Sequence, residues 1–144
     1  MIINNPNFLE KAREIFAKAN FVTDMGVELV EIDEGYAETC LKVESKHLQQ
    51  DGYVHAGVQS TIADHTAGVA SVTLVGENET ILSVEFKINL LRPAIGEYII
   101  CRSNILKQGR TLIIVESEVF SKSEDKEKLV SKATITLAVV KNIV

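Results

Sequence analysis

The chain has 144 residues, and a domain of that size buries about 68–70% of the surface its unfolded chain exposes. Apolar residues make up 46% and charged residues 24%, an ordinary balance for a globular protein that holds its core without a disulfide or a metal. The net charge is −5 with no basic stripe, which argues against a nucleic-acid partner and leaves any anionic ligand to local cations.

The first element reads as a helix. Asn5 is placed to cap it, with Pro6 at the first helical position. Phe8, Leu9, Ala12, Ile15, Phe16 and Ala19 then fall on one face. The segment has no basic start and no long apolar stretch, so it is not a secretory leader, and a cytoplasmic protein is expected. Residues 26–33 and 36–43 alternate and flank Glu34-Gly35, as a hairpin does. A loop at 47–54 precedes a long apolar helix over 56–75, which Gly76-Glu77-Asn78 ends. That helix approaches the length of a membrane span. Gln59, Asp64 and His65 interrupt it, and each strongly polar group at a bilayer centre costs about 2.5–3.5 kcal/mol. No membrane partner is expected.

Four strand-like runs follow, at 80–91, 98–106, 111–120 and 129–140. In the first, Val84, Phe86, Ile88 and Leu90 alternate with Ser83, Glu85, Lys87 and Asn89, which predicts two opposite faces. The charged run at 121–128 reads as a solvated hairpin tip without a functional role. Helix, two strands, long helix and four strands make an α+β domain spanning 1–144, its long helix lying across a curved antiparallel sheet. Cys40 and Cys101 sit in strand-like runs at no metal-ligand spacing. Reduced, packed thiols are expected, with a bridge between them left open.

The chemistry concentrates in the long helix. Asp64 is its one carboxylate, with no cation three or four residues away. A buried carboxylate is costly unless partnered, so Asp64 either reaches solvent at a seam or sits in a cleft as a perturbed acid. The helix start offers unpaired N–H groups that can stabilise an oxyanion. The eight residues from Ala56 to Asp64 span about 12 Å along the axis. That is too far to grip one carbonyl carbon, which suggests that two subunits share a site. His47, His55 and His65 form no metal-ligand pattern, and no Gly-x-Ser-x-Gly elbow is present.

The run QQDGYVHAGVQSTIADHTAGVA resembles the PaaI-like branch of the hot-dog-fold acyl-CoA thioesterases. That motif reads roughly Asn-x-x-Gly-x-x-His-Gly-Gly with an acid eight positions after its first paired glycine. Here those positions hold Gln49, Gly52, His55, Ala56, Gly57 and Asp64. The resemblance covers residues 20–140. It implies that sheets join edge to edge in a homodimer, that dimers pair into a homotetramer, and that each site lies at the dimer seam. Asp64 would be general base or nucleophile toward the thioester. The Ala56 N–H, with Gly57 nearby, would polarise the thioester oxygen. His55 and Gln49 would line the pocket, and Ser83 would position water. LSVEFKINLLRPA, which carries Leu90 and Arg92, falls where the family contacts coenzyme A. So does LKQGRTL, which carries Lys107, Gln108, Gly109, Arg110 and Thr111. Coenzyme A is then part of the substrate, and no separate cofactor or metal is expected. Ala56 and Gln49 depart from the motif: the methyl crowds the thioester, and the extra methylene moves the amide. Two other readings stay open, an acyl-CoA hydratase or dehydratase and a non-catalytic acyl-CoA binding module.

Overall fold

A computed structural model describes residues 1–142. Two helices open the chain, α1 (Phe8–Ala17) and α2 (Asn20–Met25), followed by the hairpin β1 (Val27–Asp33) and β2 (Tyr36–Lys42). After a 3₁₀ turn at Ser45–His47 comes the long helix α3 (Ala56–Val72). Four strands complete the chain: β3 (Glu79–Leu90), β4 (Tyr98–Gln108), β5 (Leu112–Ser123) and β6 (Lys126–Lys141). The six strands form one antiparallel sheet in the order β1-β2-β4-β5-β6-β3. The hot-dog architecture is therefore present, with α3 as its central helix and α1 as the extra N-terminal one. The sheet's edges are β1 and β3, and among the described residues β3 pairs only with β6.

Every second residue of β2, β4, β5 and β6 faces α3. Leu41, Ile99, Val115, Ile135 and Leu137 are fully buried against Ile62, Ala63, Ala67 and Ala70 of the helix. The small helical side chains let the sheet approach closely. The layer between helix and sheet also carries hydroxyls with no exposure. The Ser117 hydroxyl donates to Ala63 O (2.8 Å) and bonds Ser103 Oγ (2.6 Å), while Thr39 and Thr66 pair at 2.7 Å. These four hydroxyls are satisfied, as most buried polar groups are, whereas the Ser131 hydroxyl under the helix has no partner among the described residues.

Several boundaries differ from the sequence reading. Helix α1 starts at Phe8 with Asn7 as its cap, and that cap has no side-chain bond. Asn5 is instead buried, its Oδ1 accepting the Asn7 N–H at 2.9 Å. The helical face does not continue through Ala19. The chain breaks after Lys18, and α2, which periodicity did not reveal in only six residues, closes on Gly26 in the left-handed region (φ 103°). Helix α3 ends at Val72 rather than 75. The charged run at 121–128 lies mostly inside β5 and β6, with the tip reduced to Glu124 and Asp125. Its Glu127 is not idle, because both carboxylate oxygens accept from Arg102 (2.8 and 3.0 Å), which also holds Glu38 at 2.9 Å.

The two-face pattern expected for β3 is broken by a bulge between Ser83 and Glu85. Ile81 and Ser83 pair with Val139 and Leu137, whereas Phe86, Ile88 and Leu90 pair with Ile135, Ala133 and Ser131. Cross-strand partners share a face, and Leu137, Ile135, Ala133 and Ser131 are buried under the helix. Ser83 therefore lies on the helix side together with Phe86, Ile88 and Leu90, not opposite them. Cys40 and Cys101 occupy adjacent strands, but Cys101 is fully buried in the core and Cys40 is half-buried on the other face. Both are free thiols, and burial pushes the Cys101 thiol up to about 11. No helix among the described residues is long and apolar enough to cross a membrane.

Candidate active site

The approach to α3 is built by a short turn. Gln49 O accepts the Gly52 N–H (3.1 Å), and the Gln49 N–H donates to Tyr53 O (2.8 Å). Gly52 stands at φ 87°, where a side chain would be strained. Gln49 Oε1 closes the turn by accepting the backbone N–H groups of Asp51 and Tyr53. The spacing of Gln49 and Gly52 is thus first a matter of loop geometry, with the Gln49 Nε2 left for the cleft.

His55 is the N-cap of α3. Its Nδ1 accepts the Gly57 N–H at 2.8 Å, and its own backbone N–H donates to His47 O at 2.9 Å. An accepting Nδ1 leaves the proton of the neutral ring on Nε2. His47, fully buried, is held by Glu44 N and Met25 O, so it braces the cap from behind. The ring folds over position 57, where an added Cβ would sit 3.0 Å from His55 Nδ1. A side chain at 57 would have to push the ring aside by a few tenths of an ångström. The cap also takes the Gly57 N–H out of play. The Ala56 N–H has no hydrogen-bond partner among the described residues, so it is the free first-turn donor at this end.

Gln49, His55, Ala56, Leu90 and Arg92 all border one open cleft of about 540 Å³. Apolar walls come from Val54, Leu91, Pro93 and Ala94. The Arg92 guanidinium donates to Leu129 O at 2.9 Å. Gln59 also borders this cleft and is 4% exposed; the motif reading did not single it out.

Asp64 and Ser83 lie outside that cleft. The Ser83 hydroxyl donates to Asp64 Oδ1 at 2.6 Å. Asp64 is half-buried and faces β3, the edge strand of the sheet. The β3 bulge carries Ser83 to this position. Its neighbour His65 packs on Phe16 with ring centroids 5.2 Å apart. Burial holds the His65 ring below its usual value, against the opposing pull of the Asp64 charge, and its Nε2 has no partner among the described residues.

The remaining expected contacts lie elsewhere. Lys107 and Gln108 end β4 and Gly109, Arg110 and Thr111 turn the chain into β5, and Gln108, Gly109 and Arg110 border a second cleft with Leu74 and Val75, beyond the C-terminus of α3. That is one helix length, about 25 Å, from the His55 end. The Gln108 amide is tied to Ile2 by two hydrogen bonds of 2.9 Å. Gly109 is required because a Cβ would stand 2.5 Å from Leu112 O. Within one chain, Leu90 and Arg92 do not meet the 107–111 turn.

The family model described as Thioesterase superfamily matches residues 51–128, a span that runs from the Gly52 turn through α3 to the start of β6. The chain belongs to the thioesterase superfamily. A thioesterase family protein from Silicibacter pomeroyi superposes with a TM-score of 0.91 at 31% identity, over 94% of this chain and 99% of that one. Human acyl-coenzyme A thioesterase 13 is 29% identical over 109 residues, 74% of this chain and 77% of the relative. The Escherichia coli PaaI protein shares the fold with a TM-score of 0.84 at 16% identity, over 95% and 96% of the two chains. Membership supports thioester hydrolysis as the general chemistry of the chain, and the PaaI match shows a shared fold.

Proposed function

We propose that the chain hydrolyses acyl-coenzyme A thioesters to a free acid and coenzyme A at a site shared by two copies. The observation that carries this reading is the division of labour along α3. An acid with a bonded hydroxyl, Asp64 and Ser83, sits at the sheet edge. A free backbone donor, the Ala56 N–H, sits eight residues earlier, about 12 Å away along the axis. Neither half is sufficient. A second copy aligned against the free edge of β3 supplies each half with its complement. Leu82, Val84 and Phe86 on that strand are 60%, 60% and 45% exposed, which is the apolar surface such pairing buries. A homodimer is the least assembly that works, and the resemblance extends it to a tetramer of paired dimers.

In this reading Asp64 takes a proton from a water that Ser83 helps to hold, or attacks the carbonyl itself. The thioester oxygen gathers charge against the Ala56 N–H of the other chain. The His55 Nε2–H and Gln49 Nε2 add donors from the cleft wall. The thiolate leaves readily, so no strong general acid is needed. Leu90 and Arg92 from one end, and Lys107, Gln108, Gly109, Arg110 and Thr111 from the other, hold coenzyme A across the seam. No separate cofactor enters. The test is thiol release from a panel of acyl-CoAs. Asp64→Asn lowers kcat by about 100-fold or more, the scale of a lost general base, while acyl-CoA binding persists. Binding without thiol release in the native chain contradicts hydrolysis, and hydration of an enoyl-CoA instead marks a different reaction.

A further inference from the structure

Gln59 stands one helical turn after His55 and so shares its face of α3. Its amide is sorted by a single bond, in which Nε2 donates to Val54 O at 3.2 Å. The carbonyl oxygen Oε1 is buried and has no partner among the described residues. The side chain nevertheless borders the cleft that holds Ala56, Leu90 and Arg92. Its neighbours Val54, Val58 and Ile62 are apolar and buried, so leucine or methionine would suit the position without leaving an acceptor unmet. A buried acceptor without a donor costs free energy, and such groups persist where a ligand completes them. The chemistry of that ligand is narrow. A carbonyl oxygen cannot bond a thioester oxygen, a sulfur or a phosphate; it takes an N–H or an O–H.

We propose that Gln59 is a specificity-determining residue whose Oε1 accepts a hydrogen bond from an N–H or O–H donor on the bound thioester. The inference rests on the thioesterase reading of this cleft. The donor has two sources, a hydroxyl on the acyl group or the first amide of the thiol arm. Sites that hydrogen-bond a substrate group discriminate strongly against the analogue lacking it.

Two pairs of substrates separate these sources. Butyryl-CoA is compared with butyryl-CoA hydroxylated at C2, C3 or C4. The butyryl thioester of N-acetylcysteamine is compared with that of propanethiol, which has no amide. Each pair is run on the native chain and on Gln59→Met, and the readout is the ratio of kcat/KM within a pair, from which the folded fraction cancels. The native ratio is about tenfold or more in one pair and falls towards one in Gln59→Met. Collapse in the hydroxyl pair assigns the donor to the acyl group, and collapse in the thiol pair assigns it to the arm. Ratios near one in the native chain, or ratios that the substitution leaves unchanged, overturn the proposal, because then an internal water or the second copy meets Oε1. A native chain that hydrolyses none of these thioesters fails the thioesterase reading itself, a result distinct from hydrolysis without discrimination.

Discussion

Asp64 was conspicuous in the sequence because α3 carries no other charge, and its partner Ser83 was found by resemblance rather than by pattern. Strict alternation would have turned Ser83 away from the helix, and the bulge reverses that. The hydrogen bond at 2.6 Å fixes the carboxylate orientation. A bond to an ionised acceptor is worth about 1.5 kcal/mol or more, so Ser83→Ala lowers kcat about tenfold, well short of the Asp64→Asn loss. His55 has two separable roles. His55→Ala removes the cap to Gly57 and costs about 1 kcal/mol of stability, read as a lower urea midpoint. His55→Asn restores the cap but not the Nε2–H facing the cleft. Stability therefore returns while kcat/KM stays low; recovery of both would reduce His55 to a cap.

At the scale of elements, long periodic segments were legible and short or irregular ones were not. Helix α3 and the β1–β2 hairpin follow from apolar patterning and one glycine turn. Helix α2 has too few residues to establish a period, and a bulge shifts phase without any composition signal. The packing of α1 on α3 makes a pH-dependent prediction. His65 is pressed against Phe16, and burial lowers its pKa below 6.5. The folded chain keeps the ring neutral while the unfolded chain protonates it, so the unfolded state binds more protons just below pH 6.5. Stability is fully present above pH 6.5 and declines as pH falls through that region. The Glu127 carboxylate, held below its usual range by Arg102, acts in a separate window, below pH 4.5. Urea midpoints between pH 7.5 and 5.5 should fall for the native chain and stay flatter for His65→Leu. Equal slopes would mean that the ring is not the group responsible.

At the scale of the molecule, the proposed site is divided along about half the length of α3. One chain offers an acid at the sheet edge and, about 12 Å along α3, a free N–H opening onto a cleft. The sequence carried this division in the eight-residue gap between Ala56 and Asp64, and the fold keeps it open because α3 is one continuous helix through both positions. What the sequence hid is that the 107–111 turn and Arg92 occupy opposite ends of that helix. The most direct measurement is complementation between two inactive chains. Asp64→Asn lacks the acid. Ala56→Pro lacks the N–H but suits the first helical position, since His55 before it is already extended at ψ 141°. Random re-pairing of equal amounts makes half the dimers mixed, each with one intact site of two, and so restores about a quarter of native thiol release. A mixture no more active than its two components would place acid and donor of each site in the same chain and contradict the account.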